Sequence, residues 1–191
     1  MNIESGIKLI KEYEGLRLTA YKDAVGVPTI GYGHTSGVKM GDKITKDIAE
    51  QLLEDDLAPV MLKISSYNSI YKWNINEYNA LLSFGFNLGC GAIDQVTNKG
   101  KRSKKEIAEK MLLYYNAGGK KLEGLVKRRK AEHDLFIKSS EEVSINEDTT
   151  LGQVVDLIYS GYFGNNEERK NKLYNTIQNL VNERSKENET C

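Results

Sequence analysis

The stretch "EGLRLTAYKDAVGVPTIGYGHT", residues 14–35, sets two carboxylates, Glu14 and Asp23, either side of a short apolar and basic run. Thr29, glycines 26, 31 and 33, and His34 follow in close order. Just before it, "SGIKLIKEYEG" places Ile7, Leu9, Ile10 and Tyr13 near helical spacing, with Gly15 as the stop. After Glu14 the pattern changes. "LTAYKD", "AVGVPTIGYGH" and "TSGVKMG" are short, β-prone and interrupted by glycine and proline, which predicts a small antiparallel sheet or hairpin.

From Thr45 onward the period is helical again. "TKDIAEQLLEDDLAPVMLKI" predicts a helix with a kink or break at Pro59. "NINEYNALLSFGFNLG" is an apolar helix with a polar start. "SKKEIAEKMLLYYNAGG" opens with Ser103 and Glu106 in capping-box spacing and closes on two glycines. "LEGLVKRRKAEHDLF" is the next helix, with Leu125, Val126, His133, Leu135 and Phe136 as its inward positions. A helix, a small sheet and then a run of helices make an α+β body of two lobes, and clefts between lobes are where sites form.

Beyond that body, "IKSSEEVSINED" is polar and acidic and reads as a linker, placed at residues 140–148 between a body of 1–139 and a module of 149–191. Three helical segments with caps at Thr150, Asn165 and Asn175 predict a three-helix bundle near the lower size limit for independent folding. Charge divides at the same place. Residues 1–139 hold 22 lysines and arginines against 17 acids, whereas 140–191 hold 5 against 10, although the whole chain of 191 residues is neutral.

Composition narrows the possible functions. No run reaches the roughly 18 apolar residues of a membrane span, so membrane insertion is not expected, and the charged N-terminus lacks the pattern of a secretion signal. Two cysteines, Cys90 and Cys191, make no disulfide framework, and Cys90 reads as a small buried hydrophobe. That fits synthesis in a reducing cytoplasm. His34 and His133 belong to no metal-ligand spacing, so neither a metal nor another cofactor is expected. The basic runs "KGKRSKKE" (99–106) and "KRRK" (127–130) are mixed with acids and lack regular stacking aromatics. They read as solvated helix surface rather than as a nucleic-acid site.

Glycosidic bonds are hydrolysed by a pair of carboxyl groups, one giving a proton to the leaving oxygen and the other serving water or the anomeric carbon. Glu14, at the end of a hydrophobic helix, is expected in an apolar setting that favours its acid form. Asp23, on a polar and glycine-rich segment, is expected to stay ionised, with the Thr29 hydroxyl as partner to a bound water. Spacing alone does not establish this.

The same segment resembles the active-site region of phage-type lysozymes, glycoside hydrolase family 24. The family signature is Glu, eight residues, an acid, five residues, Thr, met here by Glu14, Asp23 and Thr29. "TIGYGHT", "ALLSFGFNLGCGA" (80–92) and "AGGKKLEGLVKRRKAEHDLF" (117–136) extend the likeness over 1–139. The resemblance implies a lysozyme-like two-lobe fold and a muramidase cutting the β-1,4 bond between N-acetylmuramic acid and N-acetylglucosamine, with inversion. Glu14 would be its general acid, Asp23 the carboxylate that activates water and Thr29 the residue holding that water. His34 would be structural. Thr35 and Phe86 either line the sugar cleft or pack.

The tail has its own likeness. "GYFGNNEERKNKL" (161–173) and "YNTIQNLVN" (174–182) are similar to cell-wall-binding repeats of the CW-seven kind, with Phe163 where those repeats often carry Trp. This implies a peptidoglycan anchor with Tyr162, Asn165 and Arg169 as contacts. The whole then resembles a phage endolysin that reaches bacterial peptidoglycan by holin-dependent access. The alternative is a non-catalytic peptidoglycan-binding protein on the same fold, which retention of both Glu14 and Asp23 argues against.

Overall fold

A computed structural model describes residues 2–138 together with 174 and 175. The expected linker at 140–148 lies outside the described residues, as do Tyr162, Asn165 and Arg169 and, but for 174 and 175, the expected module at 149–191.

Helix α1 (Glu4–Glu14) ends where Gly15 takes a positive φ of 68°, which turns the chain away directly after Glu14. Strands β1 (Arg17–Lys22) and β2 (Pro28–Gly31) form an antiparallel hairpin. Its register is irregular. Arg17 faces Gly31 and Tyr21 faces Thr29, so β1 spends four residues where β2 spends two. The bulged part finds other partners: Ala20 N–H donates to the Asp42 carbonyl and Ile44 N–H to that of Leu18. The small lobe is therefore the hairpin with the 42–44 segment laid along it.

The helical lobe is built on α4 (Ile75–Leu88), buried at every position from Glu77 to Gly85. Asn74 and Glu77 start it with a reciprocal capping box. Around it stand α1, α2 (Lys46–Ser65), α3 (Asn68–Tyr71), α5 (Gly91–Thr97), α6 (Lys104–Met111) and α7 (Glu123–Ile137). A second small hairpin, β3 (Asn116–Ala117) with β4 (Lys120–Lys121), precedes α7. The core gathers Ile10, Leu53, Leu57, Ile64, Leu81, Leu82, Phe84, Ile93, Ile107 and Met111, all at 2% exposure or less. No helix among the described residues is long and apolar enough to cross a membrane.

The expected α+β two-lobe body is present, with the Ser103–Glu106 box at the head of α6, but the helix expected to close on the glycines at 118 and 119 stops at Met111, and the β3–β4 hairpin occupies the chain beyond it. Three other local expectations change. α2 continues as one helix through Pro59. Cys90 is half-buried rather than enclosed. In α7 the buried positions are Arg128, Arg129, Glu132 and Phe136, while Leu125, Val126, His133 and Leu135 are only partly covered.

Candidate active site

A cleft of about 400 Å³ opens between the lobes. Glu14 enters it from the end of α1, Gly33, Thr35 and Ser36 from the loop after β2, Asp56 and Pro59 from α2, and Phe86, Asn87 and Cys90 from the end of α4 and beyond. Of the residues singled out in the sequence, Glu14, Thr35 and Phe86 thus meet in one cavity.

The loop that brings Thr35 there is a reverse turn. Ile30 and His34 exchange both backbone hydrogen bonds at 2.9 Å. The turn requires positive φ at Gly31 (67°) and Gly33 (105°), a region that strains residues with a Cβ. At Gly33 the missing side chain also keeps space open, since a Cβ there would stand 3.9 Å from Glu14 Oε2. His34 fastens this loop to the helical lobe. Its Nδ1 lies 2.9 and 3.0 Å from the Asp56 carboxylate oxygens and its Nε2 2.9 Å from the Ser36 carbonyl, so both ring nitrogens face acceptors.

Asp23 and Thr29 do not line that cavity. They sit on the hairpin at its turn. Asp23 Oδ1 accepts from the Val25 and Val27 N–H groups at 3.0 and 2.8 Å, which holds the carboxylate against the turn it caps. Among the described residues no hydrogen bond engages Oδ2. Thr29 is 3% exposed, and its hydroxyl donates to the Val27 carbonyl at 3.0 Å, leaving the oxygen lone pairs to accept. Both side chains are tied to Val27, in the turn between β1 and β2.

Glu14 departs from the apolar setting expected of it. Its Oε1 accepts from Arg128 Nη1 at 2.6 Å, and the side chain remains 24% exposed. Arg128 in turn rests on Glu132 and Ser83, and Arg129 reaches Asn87 Oδ1 at 2.9 Å on the cleft wall. Sequence reasoning missed this group because it read "KRRK" as solvated. The available signal was the spacing itself: Arg128, Arg129 and Glu132 stand i, i+4 and i, i+3 on one helix, between apolar residues.

Comparison with known proteins places this geometry in a family. Residues 11–132 match the Phage lysozyme family. The chain is 39% identical over 140 residues to the endolysin of Acyrthosiphon pisum secondary endosymbiont phage 1, covering 70% of this chain and 95% of that protein. Among solved structures it is similar to the endolysin from Escherichia coli O157:H7 phage FAHEc1, with TM-score 0.62, 35% identity, and 73% of this chain and 96% of that one covered. It is also similar to the muramidase domain of SpmX from Asticaccaulis excentricus, with TM-score 0.61, 33% identity, and 71% and 96% covered. The chain belongs to the phage lysozyme family. It is accordingly a glycoside hydrolase of the lysozyme type, an endolysin that acts on peptidoglycan.

Proposed function

We propose that the protein is a muramidase in which Glu14 donates the proton to the departing glycosidic oxygen while Asp23, with Thr29, directs water to the anomeric carbon with inversion. The observation that carries this is the placement of the Glu14 carboxyl in the wall of the interlobe cleft. Oε1 is occupied by Arg128, so Oε2, beside Gly33, is the oxygen turned to a bound glycan. Thr35 and Phe86 offer that glycan a hydroxyl and an aromatic face. Asp23 keeps its negative charge close to a turn whose N–H groups orient it, and a water accepted by Oδ2 and donated to Thr29 would be held for attack. The likeness to the muramidase domain of SpmX agrees with cleavage after N-acetylmuramic acid.

Residues 140–148 are proposed as the linker and 149–191 as a wall-binding module, with Tyr162, Asn165 and Arg169 as contacts. The basic body and acidic tail support two units with separate tasks. A weak second site would raise the enzyme's effective concentration on its polymer. Holin-dependent access completes the reading. Mass analysis of the reducing ends released from purified peptidoglycan tests the bond cleaved, and proton NMR of the freshly released anomeric centre tests the inversion. N-acetylmuramic acid ends formed first as the α-anomer are expected, and N-acetylglucosamine ends or anhydro-sugars would refute the assignment. A chain truncated after residue 139 is expected to cleave a soluble glycan oligomer but to lose most retention on sedimented walls. Unchanged retention would remove the tail from the account.

A further inference from the structure

Beneath α7, side chains that helices ordinarily give to water are enclosed. Arg128 is 3% exposed, and Arg129 and Glu132 are fully buried. Glu132 Oε1 accepts from Ser83 Oγ at 2.7 Å, from Arg129 Nη2 at 3.0 Å and from Arg128 Nε at 3.2 Å. Its Oε2 forms an ion pair with Arg129 Nε at 2.9 Å without hydrogen-bond alignment, and Arg129 Nη1 finds no hydrogen-bond partner among the described residues. Arg128 is the member that leaves the cluster, reaching Glu14 Oε1 with Nη1. Its Nη2 stands 3.4 and 3.5 Å from the Ser83 carbonyl and hydroxyl oxygens, and the guanidinium lies 5.5 Å from the Tyr13 ring.

We infer that Glu132 is a positioning residue for the hydrolysis: it holds Arg128 from behind, divides that guanidinium between two carboxylates, and so limits how much of its positive charge bears on Glu14. The inference rests on the proposal that Glu14 is the general acid. Arg128 brings its positive charge to within 2.6 Å of Glu14 Oε1, and with Glu132 neutralised the whole of that charge would fall on the catalytic carboxyl. Glu132 supplies the counterweight 3.2 Å from the opposite side of the same guanidinium.

Packing alone does not account for these residues. Burial pushes the Glu132 carboxyl up, against the pull of Arg129, Ser83 and Arg128, and the same desolvation pushes Arg129 down despite Glu132. Buried ionic clusters of this kind are often matched or exceeded in stability by apolar side chains of equal volume. The charged and titratable groups facing Glu132 are Arg128 and Arg129 on α7 and Tyr13 on α1, with Glu14 on the far side of Arg128. From α4 come only the neutral Ser83 and, through Arg129, Asn87.

The test is the pH profile of kcat/KM on a soluble peptidoglycan oligosaccharide, measured on the full chain. For Glu132→Gln the alkaline limb is expected to move to lower pH. Activity near neutrality should fall roughly tenfold and recover as the pH is lowered. That variant also strands Arg129 as an unpaired buried charge and is expected to melt early. The double variant Arg129→Met/Glu132→Gln removes the stranded charge, so its melting temperature should recover while the alkaline limb stays displaced. Recovery of stability and profile together, or a uniform loss at every pH, would overturn the inference. If neither variant folds, Ser83→Ala decides, since it loosens Glu132 and Arg128 by a single hydroxyl. A smaller displacement in the same direction supports the inference, and a limb that does not move overturns it. Glu14→Gln, run in parallel, separates the two levels. Parent-level activity there would refute the general acid itself. An inactive Glu14→Gln beside an unmoved double variant would refute only the role of Glu132.

Discussion

Asp23 does two jobs with one carboxylate. Oδ1 ends the hairpin turn by accepting two N–H groups, while the charge serves the reaction in the mechanism proposed above. An asparagine keeps an amide oxygen able to accept the same two bonds but has no charge. Asp23→Asn is therefore expected to lower kcat about a hundredfold or more with little change in melting temperature. A large loss of stability with intact specific activity would show that the side chain is there for the turn. Glu14, Asp23 and Thr29 could be picked out as candidates because they fall within sixteen residues of one another in a fixed pattern. The partner of Glu14 could not, because Arg128 lies 114 residues away and its local spacing to Glu132 says nothing of Glu14.

Among the elements, the contact of α1 with α4 sets where Glu14 ends up. Gly6 N–H donates to Asn79 Oδ1 at 2.7 Å, and a Cβ on Gly6 would stand 2.8 Å from that oxygen and 2.9 Å from the Asn79 carbonyl. Glycine to alanine within a helix ordinarily stabilises by up to about 1 kcal/mol. Here the clash is with backbone, so Gly6→Ala is expected to destabilise by roughly 1–3 kcal/mol, as overpacked interiors do. Denaturant titration checks the sign, and a gain in stability would contradict the close approach. The capping box at Ser103 was readable because it lies within four residues, and the one at Asn74, of the same span, was read only as a polar start. The buried face of α7 was not readable. Hydrophobic period ranks Leu125 and Val126 above Arg128 and Glu132, and an enclosed ion cluster inverts that ranking. In α2 the apolar face at Leu53, Leu57, Val60 and Ile64 carries the helix past Pro59, so tertiary packing overrides a local breaker.

For the molecule as a whole, polar ties join the small lobe to the helices. Lys11 on α1 pairs with Glu50 on α2, whose Oε1 also accepts from Tyr32 Oη at 2.9 Å in the small lobe. Lys11, with Tyr32, holds the Glu50 carboxyl below its ordinary value, and Tyr67, with Lys63, does the same for Asp94. A depressed carboxyl stabilises the fold fully above its unfolded value, and that contribution is lost as the pH falls through the folded one. Melting temperature is thus expected to drop as the pH falls from about 5 towards 3, with a shallower drop in Glu50→Gln. Identical slopes for parent and variant would remove this pair from the acid response. A two-lobe α+β body was legible from the change of period at Gly15 and Thr45. The irregular register of β1 was not, because it depends on hydrogen bonds to residues 42 and 44.

The account stands on the Glu14 carboxyl as proton donor in the interlobe cleft. Glu14→Gln keeps the shape of the side chain and an oxygen for Arg128 but has no acidic proton. Its kcat/KM on a soluble peptidoglycan oligosaccharide should fall by about a hundredfold to ten-thousandfold with the fold intact. A correctly folded Glu14→Gln enzyme with activity within a few-fold of the parent would contradict it.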